Sequence, residues 1–73
     1  MKEVSSLFYI IVEFPPNTDA QALYNDIEYY HLNVTDIEIA VFMHGKVKGY
    51  DMGKIITICC KYGMVDINVF DAA

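Results

Sequence analysis

The sequence of 73 residues contains no arginine, and it has no lysine from Glu3 to Gly45. Nucleic-acid recognition depends on cationic side chains, and arginine in particular reads phosphates and base edges. The formal net charge of the whole chain is −5. The composition therefore disfavours direct binding of nucleic acid and favours a protein partner with a basic surface. The lysine-free stretch carries seven acidic side chains, namely Glu3, Glu13, Asp19, Asp26, Glu28, Asp36 and Glu38.

Motifs for metal, cofactor or nucleophilic chemistry are also missing. Cys59 and Cys60 are adjacent, so the Cys-x-x-Cys spacing of redox dithiols and zinc sites is absent. His31 and His44 are the two histidines, and neither has a second histidine at ligand spacing. Residues 45–49, Gly-Lys-Val-Lys-Gly, lack the spacing and the Ser/Thr of a phosphate-binding loop. We therefore expect no catalytic residue, no metal site and no cofactor.

Long apolar runs are absent as well. No stretch approaches the roughly 20 apolar residues that span a bilayer, and no secretory signal precedes the first apolar segment. Adjacent cysteines make a strained disulfide, so the thiols are expected to be free in a reducing compartment. The sequence thus predicts a cytoplasmic protein, folded as one domain over residues 1–73, that does not enter membranes. Because 55% of its residues are hydrophobic, a homo-oligomer that buries part of them is an alternative.

The first half of the chain predicts a strand followed by a helix. Residues 7–14 are rich in β-branched and aromatic types and indicate a central strand, which Pro15 and Pro16 end. Residues 18–31 have the period of an amphipathic helix, with Asn17 or Thr18 as the N-cap and Gln21 completing a capping box. The predicted buried side of this helix contains Ala20, Leu23, Ile27 and Tyr30.

The second half of the chain contains two alternating segments and one segment that fits either a strand or a helix. Residues 36–44 alternate and predict one strand, and residues 50–53 have the composition of a turn. Residues 54–62 fit a strand, which their types favour, or a helix with Gly63 as its stop. Residues 65–70 alternate again and predict a last strand.

These elements predict a small α+β domain with an antiparallel or mixed β-sheet and one amphipathic helix packed on a face. If residues 54–62 form a helix instead, with a second helix near residues 51–62, the order becomes β-α-β-α-β, or ferredoxin-like if residues 47–50 supply a short extra strand.

The predicted helix has an outer surface that is acidic and rich in tyrosine. Tyrosine offers a large contact area with a polar tip, and carboxylates beside it can bind lysine or arginine of a partner. The alternative interpretation is an ordinary solvated helix face. We predict a partner-binding surface formed by Asp19, Asn25, Asp26, Glu28 and Tyr29.

The composition favours a non-enzymatic inhibitor or adaptor that occludes a basic, nucleic-acid-binding site, as phage-type anti-CRISPR and DNA-mimic inhibitors do. One alternative is a homo-oligomeric structural subunit that buries an exposed sheet face containing Phe8, Ile10 and Phe42. A second alternative is a thiol or sulfur-relay protein that uses Cys59 or Cys60, although buried cysteines commonly serve as small hydrophobes.

Two segments of the chain resemble a known protein family, and this resemblance bears on the second alternative. Residues 36–45, Asp-Ile-Glu-Ile-Ala-Val-Phe-Met-His-Gly, and residues 62–70, Tyr-Gly-Met-Val-Asp-Ile-Asn-Val-Phe, resemble the later part of DsrE-type sulfur-relay proteins. That resemblance implies alternating strands and helices, with His-Gly after one strand and a sulfur-carrying cysteine after the last strand. Residues 70–73, Phe-Asp-Ala-Ala, stand where that cysteine is expected.

Overall fold

The computed structural model of the chain describes residues 6–72. It contains a four-stranded sheet in which β2 (Asn33–Ile37), β3 (Ala40–Lys48), β1 (Leu7–Phe14) and β4 (Asp66–Asp71) lie side by side in that order, and each pair of neighbours is antiparallel. The α+β prediction with an antiparallel sheet is confirmed, and the βαββαβ order is the ferredoxin-like arrangement. The elements are β1 (Leu7–Phe14), α1 (Ala20–Ile27), a 3₁₀ turn (Glu28–Tyr30), β2 (Asn33–Ile37), β3 (Ala40–Lys48), a second 3₁₀ turn (Gly49–Asp51), α2 (Met52–Lys61) and β4 (Asp66–Asp71).

The predicted central strand is confirmed with its predicted bounds. β1 pairs with β3 on one side and with β4 on the other. Alternate side chains of β1, those of Ile10, Val12 and Phe14, are fully buried. Their aromatic and β-branched types suit a pleated surface that is covered by other elements.

Both helices cover this same face of the sheet. Leu23 and Ile27 of α1 and Ile55 and Cys59 of α2 are fully buried and belong to one core cluster with the buried side chains of β1. Each pair is spaced i, i+4, which places both members on one side of a helix. Within residues 6–72 no helix covers the opposite face, which we call the open face.

The strand interpretation of residues 54–62 is wrong, and the alternative with a second helix is confirmed. The segment lies within and just beyond α2, and residues 50–53 lead into that helix rather than forming a hairpin turn. Gly63 ends α2 with a φ of 77°. Its N–H donates to Cys60 O at 3.1 Å, and the N–H of Met64 donates to Cys59 O at 3.1 Å. These bonds form a Schellman cap, so core burial and the cap outweigh the β-propensity of the segment.

The prediction of one strand over residues 36–44 is also wrong, because the chain reverses at Glu38 and Ile39. Ile37 pairs with Ala40, so Glu38 and Ile39 between them form a tight hairpin turn that joins β2 to β3. The turn shifts the phase of the alternation. Val41 lies on the core side as expected, whereas Ile39 is 79% exposed.

The hairpin and the register also correct the predicted exposed sheet face. Ile10 is fully buried in the core, and Phe8, two residues earlier on the same strand, lies on the same side of the sheet. Phe42 pairs with Glu13 and lies on the open face. Of the three residues predicted to form the exposed face, Phe42 alone is therefore placed there.

The start of α1 differs from the capping-box prediction. Asp19 is the N-cap, and its carboxylate accepts a hydrogen bond from Ala22 N at 3.1 Å. Neither Asn17 nor Thr18 caps the helix. The α-helix ends at Ile27, and the 3₁₀ turn continues the chain to His31, whose φ of 59° closes that turn.

None of the helices within residues 6–72 combines the length and the apolar character needed to cross a membrane.

Candidate partner-binding surface

Leu23 and Ile27 are buried, so the opposite side of α1 faces solvent. Residues 25, 28 and 29 are spaced i, i+3 and i+4, so Asn25, Glu28 and Tyr29 lie together on the side that faces solvent. All three are exposed. The Asn25 side chain accepts a hydrogen bond from Gln21 Nε2 at 3.1 Å, which holds its amide along the helix. The structure thus brings together three of the five predicted site residues.

Asp19 lies at the opposite end of α1 from Tyr29. Its carboxylate is held by the helix as the N-cap, and it remains exposed. An anionic group at this position also complements the positive end of the helix dipole. Asp19 can therefore add charge to a contact with a partner, but it does not lie beside Glu28.

Asp26 faces α2 rather than the outward side of α1. Its Oδ2 atom lies 3.2 Å from Lys61 Nζ and accepts a 2.7 Å hydrogen bond from the Tyr62 hydroxyl. The Tyr62 hydrogen bond, followed by Lys61, lowers the pKa of this carboxyl below its usual value. Asp26 is thus already paired within the chain, and the lysine beside it interrupts the acidic surface that the sequence predicted.

Tyr29 has the most exposed aromatic ring of the described residues, at 81%. Its ring meets the ring of Tyr30 edge to face at a centroid distance of 5.2 Å. Tyr30 is partly buried and packs against the core. The core therefore holds Tyr30, and Tyr30 supports Tyr29 as an exposed aromatic group at the end of α1.

Two further acidic side chains lie on β2 and in the hairpin turn. α1 packs beside β2, which is an edge strand. Asp36 pairs with the buried Val41 and so points to the helix side of the sheet, where it is exposed. Glu38 is exposed in the hairpin turn. We call the surface formed by Asp19, Asn25, Glu28, Tyr29, Asp36 and Glu38 the acidic flank.

A cleft adjoins the acidic flank at the end of α1, and the sequence analysis did not identify it. Its volume is about 480 Å³. Tyr29 lines one side, while Lys46, Lys48 and Tyr50 line the other. Both lysines belong to β3, which extends to Lys48. Their nearness to Tyr29 depends on the sheet topology, which no local pattern reveals.

The two cysteines occupy different environments on α2. Cys59 is fully buried, and this burial raises the pKa of its thiol from 9.0 to about 11. Cys60 is exposed, and both cysteines are free. Since a reactive thiol requires a lowered pKa, Cys59 is unsuited to act as a nucleophile. His44 and Gly45 lie inside β3 rather than after a strand, unlike the arrangement that the sulfur-relay resemblance implied.

Among residues 6–72, no group of three or more His, Cys, Asp or Glu side chains is arranged to hold a metal ion. No protein-family model matches the chain, and neither the curated proteins nor the solved structures that were searched gave a match.

Proposed function

We propose that this chain is a small, non-enzymatic protein-binding module whose acidic flank occupies a basic, nucleic-acid-binding site of a partner protein. The observation that carries this proposal is the negative charge of elements that follow one another along the chain. α1, the turn after it, β2 and the hairpin turn span residues 20–39, which contain no lysine or arginine. Besides Asp26, which is paired with Lys61, these residues contain three exposed carboxylates, those of Glu28, Asp36 and Glu38. A surface of one sign attracts a partner of the opposite sign and accelerates their encounter.

Tyr29 is the proposed anchor of the contact. Aromatic side chains contribute a large share of binding energy at protein interfaces, and tyrosine does so at a low cost in conformational entropy. Glu28 adjoins Tyr29, so a lysine or arginine of the partner can meet a carboxylate and an aromatic ring together. The support from Tyr30 reduces the ordering cost of binding, because the anchor is already held in place.

The proposed mechanism is steric and electrostatic occlusion. Compact acidic inhibitors such as phage-type anti-CRISPR and DNA-mimic proteins act in this way, and the analogy rests on composition and charge. We place the binding in the cytoplasm, where free cysteines such as Cys59 and Cys60 persist.

The test begins with affinity capture from a lysate of the source cells, using the wild-type protein and a Glu28→Lys variant. The captured partner is then purified and titrated against both proteins at several salt concentrations. We expect the variant to bind about tenfold more weakly or worse, because one attractive contact becomes repulsive. We also expect the wild-type affinity to fall as salt rises.

An Asp66→Lys variant is the matched control. Asp66 is an exposed carboxylate on β4, at the edge of the sheet opposite to β2, and its reversal changes the net charge by the same amount. Asp26 is left intact, since its replacement would also break the contacts with Lys61 and Tyr62. If both variants lost binding equally, the loss would result from the change in net charge and not from a contact made by Glu28. A partner bound equally by all three proteins, or capture of the protein itself alone, would overturn the proposal.

A further inference from the structure

We infer that the open face of the sheet is an interface between two copies of this chain, related by a two-fold axis that reverses the strand direction. This inference concerns a different surface from the acidic flank. The acidic flank lies on the helix side and along the β2 edge, whereas the open face is the side of the sheet that no helix covers within residues 6–72. The two surfaces meet at the cleft, which Tyr29 and Lys46 both line, whereas Glu13 does not line it, so substitution of Glu13 tests the open face alone.

Apolar side chains lie on all three strands at the middle of the open face, with the polar His44 and Asn68 on either side of Ile11. Tyr9 and Ile11 of β1, Phe42 of β3 and Phe70 of β4 alternate with core-facing residues and so point away from the helices. Phe70 is 50% exposed, and the other three are partly buried without a covering layer. Removal of such a contiguous apolar surface from water is favourable and is a common driving force for association.

The two ends of the open face carry opposite charges. In the register, Tyr9 lies between Lys46 and Phe70, whereas Glu13 lies between Phe42 and Asp66. The rows of Tyr9 and Glu13 are four residues apart along β1, which corresponds to about 14 Å. The open face is therefore basic at the Lys46 end and acidic at the Glu13 end, and the row between them consists of His44, Ile11 and Asn68.

This charge pattern complements itself in one orientation. A two-fold axis that crosses the strands at the row of Ile11 and His44 places the Lys46 end of one copy over the Glu13 end of the other. Lys46 of each copy then lies over Phe42 of its partner, one strand away from Glu13. The long lysine side chain can reach that carboxylate, so the same attraction occurs twice in one closed dimer. An axis parallel to the strands would instead place each charged end over its equivalent, and like charges would meet.

Other occupants fit the open face less well. Glu13 and Asp66 lie on it, so a polyanion such as RNA would meet two carboxylates there despite the aromatic side chains. Association through the edge strand β4 is disfavoured for a different reason. In a centred antiparallel β4–β4 pair, Asp66 would oppose Asp71 at each end, and like charges directly opposite each other destabilise a sheet.

The experiment measures self-association by sedimentation velocity from low micromolar to hundreds of micromolar protein. We expect the wild type to convert from monomer to dimer over this range. Glu13→Lys and Lys46→Glu variants are each expected to raise the dimer dissociation constant about tenfold or more, because each substitution enters the two-fold interface twice. Circular dichroism and thermal unfolding report whether each variant is folded.

The decisive sample is an equimolar mixture of the two variants. A heterodimer of the Glu13→Lys and Lys46→Glu chains has an attractive pair at both charged contacts, so the mixture is expected to dimerise as the wild type does. A Lys54→Glu variant is the matched control, since Lys54 is exposed on α2, away from the open face. Its self-association is expected to be unchanged.

Three results would overturn the inference: a wild type that remains monomeric throughout, a Lys54→Glu variant that dissociates as readily as Lys46→Glu, or a mixture that fails to dimerise although its components are folded. The acidic flank is tested with Glu28 and a different partner, and the Glu13→Lys variant leaves the cleft beside Tyr29 unchanged.

Discussion

The hydroxyl of Tyr62 donates a 2.7 Å hydrogen bond to the carboxylate of Asp26, although the two residues are 36 positions apart. Lys61 adds an ion pair to the same oxygen at 3.2 Å, and its ammonium group lies 5.5 Å from the centroid of the Tyr62 ring. These contacts join the end of α2 to α1 across the surface of the helical layer. Two ionisation equilibria are coupled through them, and each gives a measurable prediction.

The first prediction concerns the alkaline titration of Tyr62. Its hydrogen bond to the Asp26 carboxylate raises the pKa of the phenol from 10.0 to about 12, because ionisation would break that bond and place two negative charges together. Subtracting the ultraviolet titration of a Tyr62→Phe variant from that of the wild type isolates this residue. We expect an Asp26→Asn substitution to move the Tyr62 midpoint back towards 10. A midpoint unchanged by Asp26→Asn would contradict the contact.

The second prediction concerns acid stability. The pKa of Asp26 is lower in the folded chain than its ordinary value of 3.8, chiefly because of the Tyr62 hydrogen bond. The contact therefore stabilises the folded protein fully above that ordinary value, and the contribution is lost as the pH falls through the lowered pKa. Urea unfolding of the wild type and Asp26→Asn should differ most near neutral pH, and the difference should shrink below about pH 4. A gap of constant size would show that protonation of Asp26 is not responsible.

The third prediction separates two candidate helix caps. The Asp19 carboxylate accepts from Ala22 N, so Asp19→Ala should lower the free energy of unfolding by about 0.5–2 kcal/mol. Thr18→Ala should have a smaller effect, since Thr18 is not the cap and its N–H donates to Pro15 O, a bond that alanine preserves. Chemical denaturation of both variants at one pH compares them directly. A larger loss for Thr18→Ala would restore the capping box that the sequence suggested.

The comparison of Asp19 with Thr18 also shows how far sequence reasoning extends in this chain. The period of Leu23 and Ile27 is a property of the helix itself and correctly predicted which side of α1 is buried. The choice among adjacent capping residues depends on where the incoming chain turns, which the pattern does not contain. The hairpin turn at Glu38 and Ile39 was missed because it has no glycine, proline or asparagine.

In the candidate site, too, the sequence predicted features that depend on one helix alone but not contacts between distant segments. The sequence correctly indicated that Tyr29 and Glu28 are exposed, because both lie opposite the buried side of α1. It did not indicate that Asp26 is paired with Lys61, since that contact requires residues 54–62 to form a helix beside α1. Short apolar segments of this kind are decided by tertiary burial rather than by their own propensity.

The fourth prediction concerns Gly45, which lies in β3 with a φ of 151°. A Cβ atom there would come within 2.7 Å of Leu32 Cδ2, and Leu32 is itself buried. Gly45→Ala should therefore destabilise the fold by about 1–3 kcal/mol through overpacking and backbone strain. Gly53→Ala is the matched control, because Gly53 lies in α2 with no atom near its missing Cβ. The control should be neutral or stabilising by up to about 1 kcal/mol, as measured by thermal or chemical unfolding.

The fifth prediction distinguishes the two cysteine thiols. Burial raises the pKa of Cys59 to about 11, so at neutral pH it is protonated and inaccessible, whereas Cys60 is exposed beside it. Alkylation of the native protein, followed by peptide mass spectrometry, should label Cys60 alone, and unfolding in denaturant should release the second thiol. A Cys60→Ser variant should then show no labelling while it is folded. Rapid native labelling of Cys59 would contradict its burial and would revive the thiol-based alternative, since a nucleophilic cysteine must reach its substrate as a thiolate.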